Sequence, residues 1–133
     1  MRAATFWWRD DDATAPSPAL DRLLSLQQKH AAPLMIVVIP ARAEPGLARR
    51  LTGIAGLSIV QHGWAHANHA RVGAAKAELG ADRPAALVLG ELARGQIVLD
   101  GLFGDWLRLL VPPHNRIARP LANISSFQVT VPG

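Results

Sequence analysis

Short apolar runs alternate with longer amphipathic stretches along this 133-residue chain. The short runs predict strands over residues 5–9, 34–39, 57–60 and 107–111, and a last, weakly alternating one over 125–131. The longer stretches predict helices over residues 18–30, 45–54 and 84–103. Strands that alternate with helices favour an α/β fold with a parallel sheet and right-handed crossovers. Because a complete eight-fold barrel takes about 250 residues, we expect a partial or open (β/α)-barrel, with residues 1–133 forming a single domain.

Three local signals refine this interpretation. Ser17 followed by Pro18 is typical of a capped helix start. The continuous run LMIVVI at 34–39 predicts a strand that is buried on both faces. The polar, Ala/Gly-rich connection over residues 63–83 is too long for an ordinary loop, which indicates a functional role.

The composition limits the kinds of metal site and of cellular location that we expect. Half of the residues are apolar and none is cysteine, so any metal must be held by histidine and carboxylate rather than by thiolates. The N-terminus, MRAATFWWRDDD, reaches three aspartates before an apolar run forms, so we expect no signal peptide. No apolar stretch approaches the roughly 18–20 residues that span a bilayer, so we expect no membrane association and a cytoplasmic location.

The net charge of +4 comes from twelve arginines and two lysines. A basic chain invites comparison with nucleic-acid-binding proteins. The arginines are scattered, however, and only Arg49 and Arg50 are adjacent. We therefore expect no nucleic-acid partner.

Polar clusters follow three of the predicted strands. Asp10, Asp11 and Asp12 follow the first strand, three histidines follow the third, and the segment 112–115 (PPHN) follows the fourth. The carboxyl ends of parallel strands form one rim, where α/β proteins build their sites. Clusters that are distant in sequence should therefore converge at this rim.

Such convergence suits a metal site. His62 and His66 are spaced i, i+4, which would place two imidazoles on one side of a helical turn. A carboxylate from the first strand would complete a three-ligand zinc site, and a second carboxylate could act as general base. Each cluster alone could be non-functional, as a solvated turn or a polar loop. Trp7 and Trp8 are most simply interpreted as packing residues. The joint placement favours a site.

Two of these segments resemble motifs of the polysaccharide deacetylase family. FWWRDDDA is similar to the family's first motif, in which a catalytic aspartate base precedes a metal-binding aspartate. The resemblance implies that Asp11 is the base and Asp12 a ligand, with a one-residue shift to Asp10 and Asp11 as the alternative. QHGWAH resembles the second motif, which implies that His62 and His66 are ligands, although Gly63 replaces the usual hydroxyl residue.

The third motif is looser. VPPHN resembles the family's Arg-x-Pro-Tyr, but Val111 stands at the arginine position and His114 at the aromatic one. The base would then need Arg9 or Arg116 as its cationic partner. The family's last motifs, including its general-acid histidine, would lie beyond Gly133, so the resemblance implies a C-terminally shortened form.

The resemblance implies a metal-dependent hydrolase that removes an N- or O-acetyl group from a carbohydrate, with Zn²⁺ as the cofactor. Trp64, Pro113 and His114 would contact the acetylated carbohydrate, and His69 would be the general acid, with His114 as the other local candidate. Asp10 is expected to be the exposed member of the aspartate triplet. The alternative is a shortened, inactive homologue that binds metal or sugar and forms homo-oligomers through an open sheet edge.

Overall fold

The computed structural model describes residues 3–123 and 128–129. Its strands form one parallel sheet in the order β1-β2-β3-β4-β5. The strands are β1 (Trp8–Ala13), β2 (Leu34–Val38), β3 (Leu57–Gln61), β4 (Leu109–Leu110) and β5 (Gln128–Val129). The helices are α1 (Pro18–His30), α2 (Pro45–Leu51), α3 (Ala85–Phe103) and α4 (Arg119–Ala122), with 3-10 turns at Pro40–Arg42 and Pro113–Asn115. Within the described residues β1 and β5 are the sheet edges and do not pair with each other, which confirms the predicted α/β class and open barrel.

Helix α1 has the predicted bounds because its sequence caps both ends. The Ser17 hydroxyl accepts a hydrogen bond from the Leu20 N–H at 3.0 Å, and Pro18 occupies the first turn. The helix ends at Ala31, whose φ of 49° is left-handed and turns its N–H back onto the carbonyls of the last turn.

Strand β2 is buried on both faces, as its sequence predicts. Ile36 and Val38 pack in the largest apolar cluster, together with Leu24 of α1 and other residues of α1 and α2. Val37 points the other way, into a cluster with Val60 of β3. The sheet is therefore covered on both sides around its central strands.

Helix α3 packs across the sheet despite its three internal glycines, Gly90, Gly95 and Gly101. Gly95 allows close approach, since a Cβ at that position would overlap the side chain of Gln61 at the end of β3. The Gln61 Nε2 donates to the Leu92 carbonyl at 3.0 Å, which fixes the helix to the end of the strand. No helix in the described part of the chain is long and apolar enough to cross a bilayer.

The bounds of several elements differ from the predictions. Strand β1 begins at Trp8 rather than at residue 5 and continues through the three aspartates, because β2 offers backbone partners to Asp10 and Ala13. Helix α2 ends at Leu51 rather than at residue 54, where the Thr52 hydroxyl bonds the Ala48 carbonyl and Gly53 follows with a φ of 78°. Strand β4 is two residues long rather than five. Of the predicted strand 125–131, residues 128–129 form β5 and the rest lies outside the described residues.

Candidate metal centre

The carboxyl ends of the first four strands lie side by side. The His62 N–H donates to the Val38 carbonyl at 2.8 Å, and the Val111 N–H donates to the Gln61 carbonyl at 2.9 Å. On the other side of β2, the Ile39 N–H donates to the Ala13 carbonyl at 3.1 Å. Residues that directly follow β2, β3 and β4 therefore share one rim with the end of β1.

The carboxylate of Asp12 reaches this rim through a distortion of β1. The pairing register with β2 is irregular between Asp10 and Ala13, and Asp12 has a φ of 68°. Bulges of this kind bend a strand and redirect a side chain, and aspartate tolerates the left-handed region better than most residues. The side chain of Asp12 is 59% exposed and faces His62 and His66, which follow β3.

His62 is held in a defined orientation. Its side chain is only 3% exposed, and its Nδ1 lies 2.7 Å from the carbonyl oxygen of Val111. A carbonyl only accepts, so Nδ1 donates in this hydrogen bond, and Nε2 is the ring nitrogen that faces Asp12. This arrangement prepares Nε2 as a metal ligand.

His66 completes a group of three side chains that could hold a metal ion. The Asp12 Oδ1 lies 3.1 Å from the His62 Nε2 and 3.3 Å from the His66 Nε2. The three ligand atoms all lie within 4.8 Å of one another. Two imidazole nitrogens and one carboxylate oxygen are a donor set that divalent metals accept, so the convergence expected from the sequence is present and the group fits a metal site.

The two histidines do not lie on a helical turn, in contrast to the interpretation of their spacing. The segment 62–67 is a loop, and His66 has a φ of 56°. Three backbone N–H groups of this loop donate to the buried carboxylate of Glu78, which replaces the hydrogen bonds that a helix would supply. The two imidazole rings are therefore brought together by the conformation of this loop and not by a helical turn.

The other two aspartates have different surroundings. Asp11 forms a two-point ion pair with Arg9, with the Arg9 Nε 2.9 Å from Oδ1 and Nη2 3.1 Å from Oδ2. Asp10, expected to be exposed, is instead partly buried, because β1 extends through it. Burial raises the pKa of Asp10, and the neighbouring carboxylates of Asp11 and Asp12 raise it further.

Three residues expected to contact substrate surround the ligand group. Trp64 lies in the loop between the two histidines, and the Arg94 guanidinium is 4.6 Å from the centre of its ring. Pro113 packs against Gly63, where it would overlap an added Cβ. The ring of His114 lies 4.4 Å from that of His66, and burial lowers the pKa of His114, with the charge of His66 lowering it further.

His69 has a different environment. Its side chain is exposed and lines a small crevice with Asp82 and Arg83. It does not belong to the ligand group found among the described residues. Its assignment as general acid stays a prediction.

Glu78 belongs to the site but was missed from the sequence. It lies in the polar connection that was expected to be functional, yet nothing in the local pattern AELG marks a buried carboxylate. It is revealed only by its hydrogen bonds with Trp64, Ala65 and Ala67, which lie 11 to 14 positions earlier in the chain.

Comparison with known proteins bears on the fold. The sequence matches no protein-family model and no curated protein. Among solved structures, the peptidoglycan deacetylase PdaC from Bacillus subtilis aligns with a TM-score of 0.74 at 19% identity, over 95% of this chain and 57% of that chain. A peptidoglycan N-acetylglucosamine deacetylase aligns with a TM-score of 0.73 at 17% identity, over 92% of this chain and 54% of that one. A family 4 acetyl xylan esterase from Clostridium thermocellum, solved with a cobalt ion, aligns with a TM-score of 0.69 at 17% identity, over 92% and 55%.

The chain spans just over half the length of these solved structures. Nearly all of it superposes on them, with its parallel strands in one open sheet. The resemblance to polysaccharide deacetylases that its motifs carry thus extends to the three-dimensional structure, and the chain has the fold of these enzymes.

Proposed function

We propose that this chain is a metal-dependent hydrolase that removes an N- or O-acetyl group from a carbohydrate. The observation that carries the proposal is the convergence of Asp12, His62 and His66 within 4.8 Å at the rim where α/β proteins build their sites. The deacetylase and the esterase named above share the fold, which supports this chemistry by analogy.

The ligand set supports Zn²⁺ as the cofactor. Catalytic zinc takes three protein ligands from histidine and carboxylate and leaves one position open. When bound, a divalent ion would polarise the acetyl carbonyl and make a water molecule more acidic. Asp12, rather than Asp11, faces the histidines, which supports the assignment of Asp12 as the ligand over the shifted alternative.

Asp11 is the proposed general base. Its carboxylate is held by two contacts with Arg9, so it has the cationic partner that the sequence lacks at Val111. A guanidinium with two contacts fixes the orientation of a carboxylate, as a base that accepts a proton from water requires.

The substrate would lie across the rim. His114 lies beside His66, Trp64 lies in the loop between the two histidines, and a cleft of about 490 Å³ is lined by the three aspartates. Pro113 is buried and would act only by supporting Gly63 of this loop. A cleft of this volume is in the range that small ligands occupy. His69 remains the proposed donor of the proton that the leaving group needs.

A second candidate is a homologue that binds metal or sugar without turnover and associates with a second copy. The observation that favours it is the open sheet, whose edge strand β1 is preceded by the exposed side chains of Phe6 and Trp7. Metal binding without acetate release would distinguish this candidate from the enzyme.

The test loads metal-free protein with Zn²⁺ or Co²⁺ and measures acetate released from N-acetylated chitooligosaccharides and acetylated xylooligosaccharides. We expect release only from metal-loaded protein. Asp11→Asn should bind metal normally but release acetate about 100-fold more slowly or worse, since a positioned base contributes roughly 10²–10⁴-fold.

Asp105→Asn is the matched control, because this exposed carboxylate precedes β4 and so lies at the opposite end of the sheet. It should leave metal binding and release unchanged. Metal-loaded wild type that releases no acetate from either substrate would overturn the enzyme and favour the binding homologue.

A further inference from the structure

Glu78 is the most deeply buried carboxylate that the described residues contain, with 1% of its surface exposed. Its Oε1 accepts a hydrogen bond from the Trp64 N–H at 2.7 Å. Its Oε2 accepts from the N–H groups of Ala65 at 2.9 Å and Ala67 at 2.8 Å. One side chain therefore satisfies three backbone donors of the loop that carries both histidine ligands.

These three donors lie on either side of His66. Because His66 has a φ of 56°, its backbone conformation is one that non-glycine residues adopt only when surrounding contacts impose it. The hydrogen bonds from Ala65 and Ala67 to the same oxygen impose that conformation directly. They therefore determine where the His66 imidazole points.

The loop is shaped to receive this carboxylate. Gly63 has a φ of 58°, and a Cβ there would overlap both the Glu78 Oε1 and the Pro113 ring. Only glycine combines this backbone conformation with such close approach. Gly63, which departs from the second deacetylase motif, is thus the residue that makes room for Glu78.

The charge of Glu78 is also informative. In the described part of the chain no lysine or arginine side chain forms an ion pair with it, and its hydrogen-bond donors are backbone amides. A buried anion is costly unless it is compensated. A cation bound by the adjacent histidines would compensate it and would in turn be bound more tightly.

We propose that Glu78 is a positioning residue of the metal centre, which fixes the loop between His62 and His66 in its ligating conformation and adds a buried negative charge behind it. This inference rests on the proposed function, because it assumes that the group binds a divalent metal. It assigns to Glu78 a role that nothing in the three sequence motifs indicates.

The experiment compares wild type with Glu78→Gln. The glutamine has the same shape but loses the charge, and it offers a single acceptor oxygen to three N–H donors. We expect the affinity for Zn²⁺, measured by titration calorimetry on metal-free protein, to fall about 10- to 100-fold, as for other residues that orient metal ligands. Amide exchange measured by NMR should accelerate at Trp64, Ala65 and Ala67 before any metal is added.

Glu91→Gln is the matched control. Glu91 is partly buried, and its partner Arg83 also donates to the main-chain carbonyl of Glu78 at 3.2 Å. The variant therefore perturbs the same region and leaves the Glu78 carboxylate and its three loop donors in place. It should lower stability while leaving Zn²⁺ affinity and the exchange of the three loop amides unchanged.

The two proposals fail separately. Wild type that binds no Zn²⁺ overturns the proposed function, and the amide-exchange comparison then still decides whether Glu78 fixes the loop. Wild type that binds Zn²⁺ while Glu78→Gln binds it equally tightly overturns the role of Glu78, as does equal loss of affinity in Glu78→Gln and Glu91→Gln.

Discussion

Asp12 combines two properties that a substitution series can separate. Its carboxylate faces both histidines, and its backbone has a φ of 68°. The first property concerns the metal and the second concerns strain, because a side chain with a Cβ costs about 1–2 kcal/mol in the left-handed region, somewhat less for aspartate.

Asp12→Gly and Asp12→Ala should therefore differ in stability but not in metal binding. Both should lose the affinity for Zn²⁺ that wild type has. In metal-free protein, Asp12→Gly should stay within about 1 kcal/mol of wild type, while Asp12→Ala should be about 1 kcal/mol less stable than Asp12→Gly. Urea unfolding in the presence of a chelator measures this difference, and equal stability of the two variants would argue against the strained conformation.

At the scale of single residues, the sequence predicted which side chains converge at the rim but not their conformations. Asp12, His62 and His66 were predictable because the carboxyl ends of parallel strands share a rim. The bulge at Asp12, the burial of Asp10 and the role of Glu78 were not, since each depends on contacts between segments that are distant along the chain. A sequence pattern reports local periodicity and is silent about such contacts.

Among the elements, α3 offers an internal comparison of two glycines. A Cβ at Gly95 would overlap Gln61 and press on Pro40, whereas a Cβ at Gly90 would meet open space. Gly95→Ala should destabilise by about 1–3 kcal/mol through overpacking. Gly90→Ala should stabilise by about 0.5–1 kcal/mol because it reduces the backbone entropy of the unfolded chain. Equal effects in urea unfolding would contradict the packing of α3 on the end of β3.

The ion pair between Glu91 of α3 and Arg83, which precedes the helix, should make the free energy of unfolding depend on pH. Hydrogen bonding to Arg83 lowers the pKa of Glu91 below its ordinary value of 4.5, outweighing the opposing effect of burial. A lowered pKa in the folded state stabilises the protein above the unfolded pKa, and this contribution is lost as pH falls through the folded pKa. Unfolding measured at pH 7 and at pH 3 should show wild type more stable than Glu91→Gln at pH 7, with a smaller difference at pH 3. A difference that is constant with pH would mean that the ion pair does not form.

The bounds of the elements were predicted best where the chain supplies its own caps. Helix α1 has Ser17, Pro18 and a left-handed Ala31, and its predicted limits are those observed. Strand β1 has no such signal, and its extension through three aspartates depends on pairing with β2, which overrides the low strand propensity of aspartate.

For the whole molecule, the open sheet leaves edge strand β1 available for pairing with another strand. Within the described residues, β1 pairs with β2 on one side only, and Phe6 and Trp7 before it are exposed. We predict that a second copy pairs at this edge, so that light scattering on a concentration series shows reversible self-association. Trp7→Lys should weaken it, and Ile97→Lys, at an even more exposed apolar site on α3, should not. A monomer at every concentration would contradict the prediction.

One divalent ion should bind between Asp12, His62 and His66. Anomalous diffraction from crystals grown with Zn²⁺ and measured at the zinc edge tests it most directly. We expect one strong peak per chain, about 2.0–2.2 Å from the Asp12 oxygen and the two histidine nitrogens. A peak among Asp10 and Asp11 away from the histidines, or no peak at the rim of the sheet, would contradict it.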